Sequence, residues 1–172
     1  MAHTFELNSE ALKRQFAVYV VIATDGETFD LYVGKTGDNR EGCNPLISRC
    51  GNHFSYNKIH SQVRNKIPDH ELKEYTYVFD HFGEYSEDEE ARKPLVDLIN
   101  EMERHLNEEI CNLAKRLKGC RMHNPFSGKH MPKKEKLRRH ALRTQATSKK
   151  IAEIVVEVER VIVNKAMHAT SS

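Results

Sequence analysis

Three features of the chain point to a small α/β core, helices packed around strands, with a basic helical extension. Two apolar, β-branched and aromatic runs, residues 16–24 (FAVYVVIAT) and 29–34, flank Asp25-Gly26, a strong short-range hairpin signal. Residues 74–83 (EYTYVFDHFG) alternate Tyr75, Tyr77 and Phe79 with Thr76, Val78 and Asp80, the period of two that marks a third strand. Elsewhere the apolar spacing changes to three and four residues, as in amphipathic helices. A length of 172 residues suits one domain with an appendage and is enough to bury a core.

The elements follow in chain order. Residues 1–15 carry an Asn8-Ser9 cap signal and a short amphipathic run through Leu12, expected as a short helix beside the first strand. A turn centred on Asp25-Gly26 sets Tyr19 beside Tyr32 on one face of the hairpin. The chain then runs polar to Asn44-Pro45, which reads as an N-cap and a proline in the first helical turn. On this helix Arg49 and His53 stand four residues apart and share a face, while Gly51 weakens it and a break is expected near Ser55. A lone Arg-His pair is usually a solvated face, so it says little by itself. A second helical piece covers residues 58–66, ahead of the third strand.

Residues 86–89 (SEDE) form a capping box whose acids suit a helix N-terminus. Pro94 either kinks that helix or starts the next. Leu95, Leu98, Ile99, Met102, Leu106, Ile110, Leu113 and Leu117 then mark one long amphipathic helix ending near Gly119, its stripe covering the sheet. Pro125, Phe126, Ser127 and Gly128 make a turn-rich boundary between a core, residues 1–124, and a basic arm with a C-terminal helix, residues 125–172. Residues 151–163 (IAEIVVEVERVIV) place Ile151, Ile154, Val155, Val158, Val161 and Ile162 on one helical face, although the β-branched content also permits a strand. A helix capped at Thr147 or Ser148 is the expectation, packed on the core or on a second subunit.

The net charge of +2 conceals an asymmetry. Lys129, Lys133, Lys134, Lys136, Arg138, Arg139, Arg143, Lys149 and Lys150 oppose the single acid Glu135, so residues 129–150 carry about +8 and leave the remainder near −6. Such a block is the electrostatic footprint of nucleic-acid binding, and it grips phosphates without choosing a sequence. No stretch has the length of a membrane span and no signal-peptide core leads the chain, so a soluble, cytoplasmic protein is expected. The four cysteines, Cys43, Cys50, Cys111 and Cys120, lack a C-x-x-C pair. Cys50 and Cys120 each begin a C-x-x-H spacing, a weak zinc signal beside which reduced thiols are the better reading.

The order AVYV (17–20), YVGKT (32–36) and a helix carrying Arg-x-x-x-His resembles the GIY-YIG nuclease superfamily, over about a fifth of the chain. Ala17 stands where the family has its first glycine, and the polar insertion after Thr36 moves the arginine downstream. Arg40 lies in that loop without a histidine partner, which leaves Arg49 as the match. The resemblance implies a three-stranded antiparallel sheet flanked by helices, and a catalytic set of Tyr19, Tyr32, Lys35, Arg49 and His53 around Gly34. It implies that Tyr19 positions or deprotonates a water, assisted by Tyr32, Lys35 or His53, and that Arg49 stabilises phosphorane-like charge. A carboxylate on the long helix, Glu103 or Glu109, would hold one Mg²⁺ (or Mn²⁺) acting at the leaving 3′ oxygen, giving a 5′ phosphate and a 3′ hydroxyl. Asn124 resembles the family's late asparagine and joins Lys133, Lys134, Arg138, Arg139 and Arg143 as expected contacts to nucleic acid. The function implied is a metal-dependent endonuclease on double-stranded DNA, of restriction or phage type, with a homodimer suiting a palindromic target. The alternatives are a catalytically inactive DNA-binding module on the same fold and a structure-specific repair or recombination nuclease.

Overall fold

The computed structural model describes residues 2–36, 44–59, 61–126 and 131–169. The polar loop with Arg40 and Cys43 lies outside them, as do Ser127, Gly128 and Lys129. After a 3₁₀ turn, Ser9–Leu12, come strands β1 (Gln15–Thr24) and β2 (Phe29–Lys35) and helices α1 (Leu46–Phe54) and α2 (Gln62–Lys66). Then follow β3 (Glu74–Glu84), the long α3 (Glu89–Arg116), β4 (Cys120–Met122), α4 (Lys133–His140) and α5 (Gln145–Ala169). The fold is α/β, but its sheet has four strands in the order β3-β1-β2-β4, with β4 parallel to β2, instead of three antiparallel ones. Three residues are too few to show a period of two. Gly119, at φ 79°, turns the chain out of the helix and leads into β4, its carbonyl accepting from the Phe29 amide.

The hairpin turn also differs from expectation. Asp25 Oδ1 accepts from the Glu27 and Thr28 amides at 3.1 and 2.8 Å, which builds a four-residue loop starting at Asp25. The register moves by two positions, so Tyr19 pairs with Gly34 and Tyr32 with Val21. A shift of two preserves the pleat, and both tyrosines stay on one face as diagonal neighbours.

Alternation along β1 feeds two cores. Phe16, Val18, Val20 and Ile22 meet α3 and α5 on one side, through Ile99, Met102, Leu106, Ile110, Ile154, Val158 and Ile162. Tyr19, Val21 and Ala23 meet α1 and α2 on the other, through Leu46, Val63 and Ile67. The apolar stripe of α5 is thus buried within this chain, against the same cluster as α3. Two caps sit away from their expected positions. Asp88, not Ser86, accepts the first α3 amides, and Pro94 lies inside that one continuous helix. Thr144 Oγ1 accepts from the Thr147 amide ahead of α5, three residues before the earlier of the expected caps. Among the described residues no helix is long and apolar enough to cross a membrane.

Candidate active site

Gly34 explains how a tyrosine comes to lie across the hairpin. A Cβ built there would stand 2.5 Å from Cζ and Oη of Tyr19, so the ring covers bare backbone. This packing leaves Tyr19 only 2 % exposed and aims its hydroxyl at α1. His53, one turn after Arg49 and 4 % exposed, meets it with Nε2 at 3.0 Å. The other ring nitrogen, Nδ1, stands 3.0 Å from the Tyr77 hydroxyl on β3. The Tyr77 and His53 rings are nearly parallel, and Tyr32 meets the His53 ring edge-on.

Charge enters from two sides. The Arg49 guanidinium acts on Tyr19, Tyr32 and His53 alike. Burial pushes the Tyr19 hydroxyl well above the usual phenol range and raises Tyr32 as well, with Glu103 adding to both. Glu103 reaches from α3, 3.9 Å from Lys35 Nζ at the end of β2. The two candidate carboxylates are therefore separated by position. Glu103 bears on the tyrosines, whereas Glu109 is 46 % exposed and stands beside His105 at 4.0 Å.

Glu103 and Lys35 meet near the end of β2, beyond its pairing with β4. β4 pairs only with Phe29, Asp30 and Leu31, and the next outward backbone pair belongs to Val33. Asn124 closes that pair, its Oδ1 accepting from the Val33 amide at 3.0 Å and its Nδ2 donating to the Val33 carbonyl at 2.6 Å. Asn107 secures the arrangement, donating to the Asn124 carbonyl and accepting from the Phe126 amide, both at 2.8 Å. Asn124 is thus a main-chain mimic ending the sheet. Beside it opens a cleft of about 500 Å³ lined by Glu103, Asn100, Asn107, Lys66, Arg104 and Arg139, among others.

The arginines of the basic segment are largely engaged by the fold. Arg143 donates to the fully buried Glu101 at 2.7 Å and to Glu108 at 2.8 Å, and is itself 12 % exposed. Both bonds tie the α4–α5 connection onto α3, so this guanidinium is engaged within the fold. Arg138 bridges Glu135 and Asp97, and Arg139 bonds to Glu135. Lys133 and Lys134 are exposed and carry no ion pair among the described residues. No set of three His, Cys, Asp or Glu groups converges on a metal position there. Cys50 and Cys120 lie against opposite faces of the sheet, so the zinc spacing does not assemble.

Tyr77, Lys66 and Asn107 were not anticipated as parts of this site. The alternation of residues 74–83 contained the signal for Tyr77, since the β1–β3 register sets it opposite Val21 on the Tyr19 face. Asn107 looked like one more polar residue on a helix, and only the fold buries it.

Burial, and then Arg49, brings the His53 pKa down to about 4. In the unfolded chain a histidine titrates near 6.5, so below that pH protons favour the unfolded state. His53 therefore costs no stability above about pH 6.5 and on the order of 3 kcal/mol once the pH has fallen to about 4. His53→Gln removes this titration. Urea midpoints taken from pH 7 to pH 4.5 should fall less steeply for the variant than for the parent, and equal slopes would show a histidine that titrates normally in the fold.

No family model, curated protein or solved structure gives a significant match to this chain.

Proposed function

We propose that the chain is a metal-dependent endonuclease of the GIY-YIG type that hydrolyses phosphodiester bonds of duplex DNA, acting as a restriction-type enzyme. The observation that carries the reading is the bond from Tyr19 to His53, assembled across Gly34 within the field of Arg49 and Glu103. A buried phenol held well above its ordinary range is a poor free base. It can still relay a proton in one concerted motion to a neutral imidazole already in contact with it.

In the proposed step a water beside Tyr19 gives its proton to the phenol oxygen as Tyr19 gives its own to His53 Nε2. The water oxygen bonds to phosphorus while the bond to the 3′ oxygen breaks, that oxygen leaving with the electron pair. Arg49 faces the charge that builds on the phosphoryl oxygens. Lys35, 3.9 Å from Glu103, sets a cation beside that carboxylate at the cleft. Mg²⁺ suits this donor set, because it is commonly held by one or two carboxylates and its own waters, and Glu103 is 34 % exposed to the open side. When bound there it would supply Lewis-acid stabilisation of the leaving 3′ oxygen. Lys66, Lys133 and Lys134, all exposed, are the cations proposed to meet DNA phosphates.

The test is cleavage of supercoiled plasmid and phage DNA with Mg²⁺, Mn²⁺ or EDTA, with Tyr19→Phe and Arg49→Ala beside the parent. Discrete bands that need the metal, with each variant slower by about 10²- to 10³-fold, are expected. Cutting confined to flaps or junctions would make it a structure-specific nuclease. DNA that is retarded but never cut under any divalent metal would make it a binding module.

A further inference from the structure

We propose that the segment carrying α1 and α2 is the surface that grips the phosphate backbone of duplex DNA beside Tyr19 and His53, with Lys58, Arg64 and Lys66 as the contacting cations. The choice of DNA as partner rests on the nuclease reading, while the surface itself is argued from charge and geometry. Residues 44–68 contain Arg49, Lys58, Arg64 and Lys66 and not one aspartate or glutamate, although the chain as a whole has 27 Lys and Arg against 25 Asp and Glu. Both helices pack on the Tyr19 face of the sheet, through Leu46, Val63 and Ile67. Across the sheet, α3 carries more acids than bases. The fold thus sets an acid-free layer on the side that holds the site.

The connection between the two helices is tied down without a carboxylate. Side chains of α2 donate to its main-chain carbonyls, Gln62 Nε2 to Ile59 at 2.8 Å, Arg64 Nε to Ser55 at 2.9 Å and Asn65 Nδ2 to Lys58 at 2.9 Å. No negative charge is added that a phosphate would meet there. Lys58 and Lys66 are exposed, and neither they nor Arg64 make an ion pair among the described residues. The Arg64 guanidinium lies 4.7 Å from the ring centroid of the exposed Tyr56. Lys66 Nζ is 5.7 Å from the Tyr32 ring centroid, and the residue lines the cleft that Glu103 also lines, so the surface reaches the site. Glu71, 3.5 Å from the Tyr56 hydroxyl, marks its acidic edge.

The arm offers less than its composition promises. Arg138, Arg139, Arg143 and Lys150 each contact an acid of the fold, and a paired cation must give up that partner before it gains a phosphate. An unpaired surface lysine gives up only water and counterions. The main grip is therefore assigned to α1 and α2, with Lys133 and Lys134 secondary.

Retention of a labelled duplex by the full chain, titrated against salt in EDTA so that nothing is cut, tests this. Lys58→Glu combined with Lys66→Glu should weaken retention about 10-fold or more and lower the slope of log K against log salt by about 2, since each lost phosphate contact removes about 0.9. Arg64→Gln, which keeps a donor for the Ser55 carbonyl, should lower it by about 1. Lys133→Glu combined with Lys134→Glu should have the smaller effect. Thermal melts close to the parent's, expected for exposed lysines without ion pairs, tie the loss to the surface. Retention that α1–α2 changes leave intact, a larger loss from the arm pair, or a parent that retains no duplex would overturn the proposal. Cleavage by a parent whose retention depends on the arm would sink this surface and keep the nuclease reading. Retention that depends on Lys58 and Lys66, with no cutting under any divalent metal, would keep the surface and end that reading.

Discussion

Arg143→Ala should lose about 3–5 kcal/mol of folding stability, a large part of what a domain of this size possesses. The residue sits in the basic segment, yet its guanidinium bonds Glu101, which is fully buried, and Glu108 on the next turn of α3. Truncation would leave the Glu101 carboxylate away from water with Arg104 as its nearest cation at 3.5 Å. That longer contact places the expected loss toward the lower end of the range. Arg143→Lys keeps the charge but cannot reach both carboxylates with a planar fork, so it should fall between. Glu101→Leu combined with Arg143→Met should recover most of the loss, because the cost arises from an unpaired charge. Urea melts of the four proteins check this. A variant as stable as the parent that only binds DNA more weakly would return Arg143 to the arm.

On the proposed nuclease reading, Gly34→Ala should nearly abolish cleavage by moving one ring. The added methyl would lie 2.5 Å from the Tyr19 hydroxyl end, and Tyr19 is enclosed, with His53 at its oxygen and Tyr77 beside it. The strand has little freedom to retreat, since β2 is paired with β1 and held at Val33 by Asn124. The ring must therefore leave its place and break the 3.0 Å bond to His53. Overpacking of this kind costs about 1–3 kcal/mol of stability, less than the Arg143 truncation. The activity should fall about 10²-fold or more, as for other losses of a positioned proton-transfer group. Cleavage rates and thermal melts measured together check this. Activity near the parent's would mean that the tyrosine–histidine contact is not used.

Period, caps and turn residues made most of the fold legible. The runs at 16–24 and 29–34 are β-branched and aromatic strands buried on both faces, residues 74–83 form a strand with alternating side chains, and the stripe from Leu95 to Leu113 is helical because it buries residues at three and four. Arg49 and His53 share a face from their spacing alone, and Tyr19 and Tyr32 share one under either turn, because the register error was an even number.

Tertiary structure decided the matters that depend on what comes near from elsewhere in the chain. Glu103 and Glu109 are alike as residues on an amphipathic helix, and only the path of α3 past the end of β2 brings Glu103 toward Lys35. Asn124 and Arg143 carry groups suited to nucleic acid, but one completes a sheet edge and the other neutralises a buried acid. Local sequence determines which backbone conformation is cheapest and which side of it must be buried, since both follow from neighbours a few residues away. The partner of a carboxylate, an amide or an imidazole is set by distances between residues tens of positions apart, and those exist only once the layers have packed.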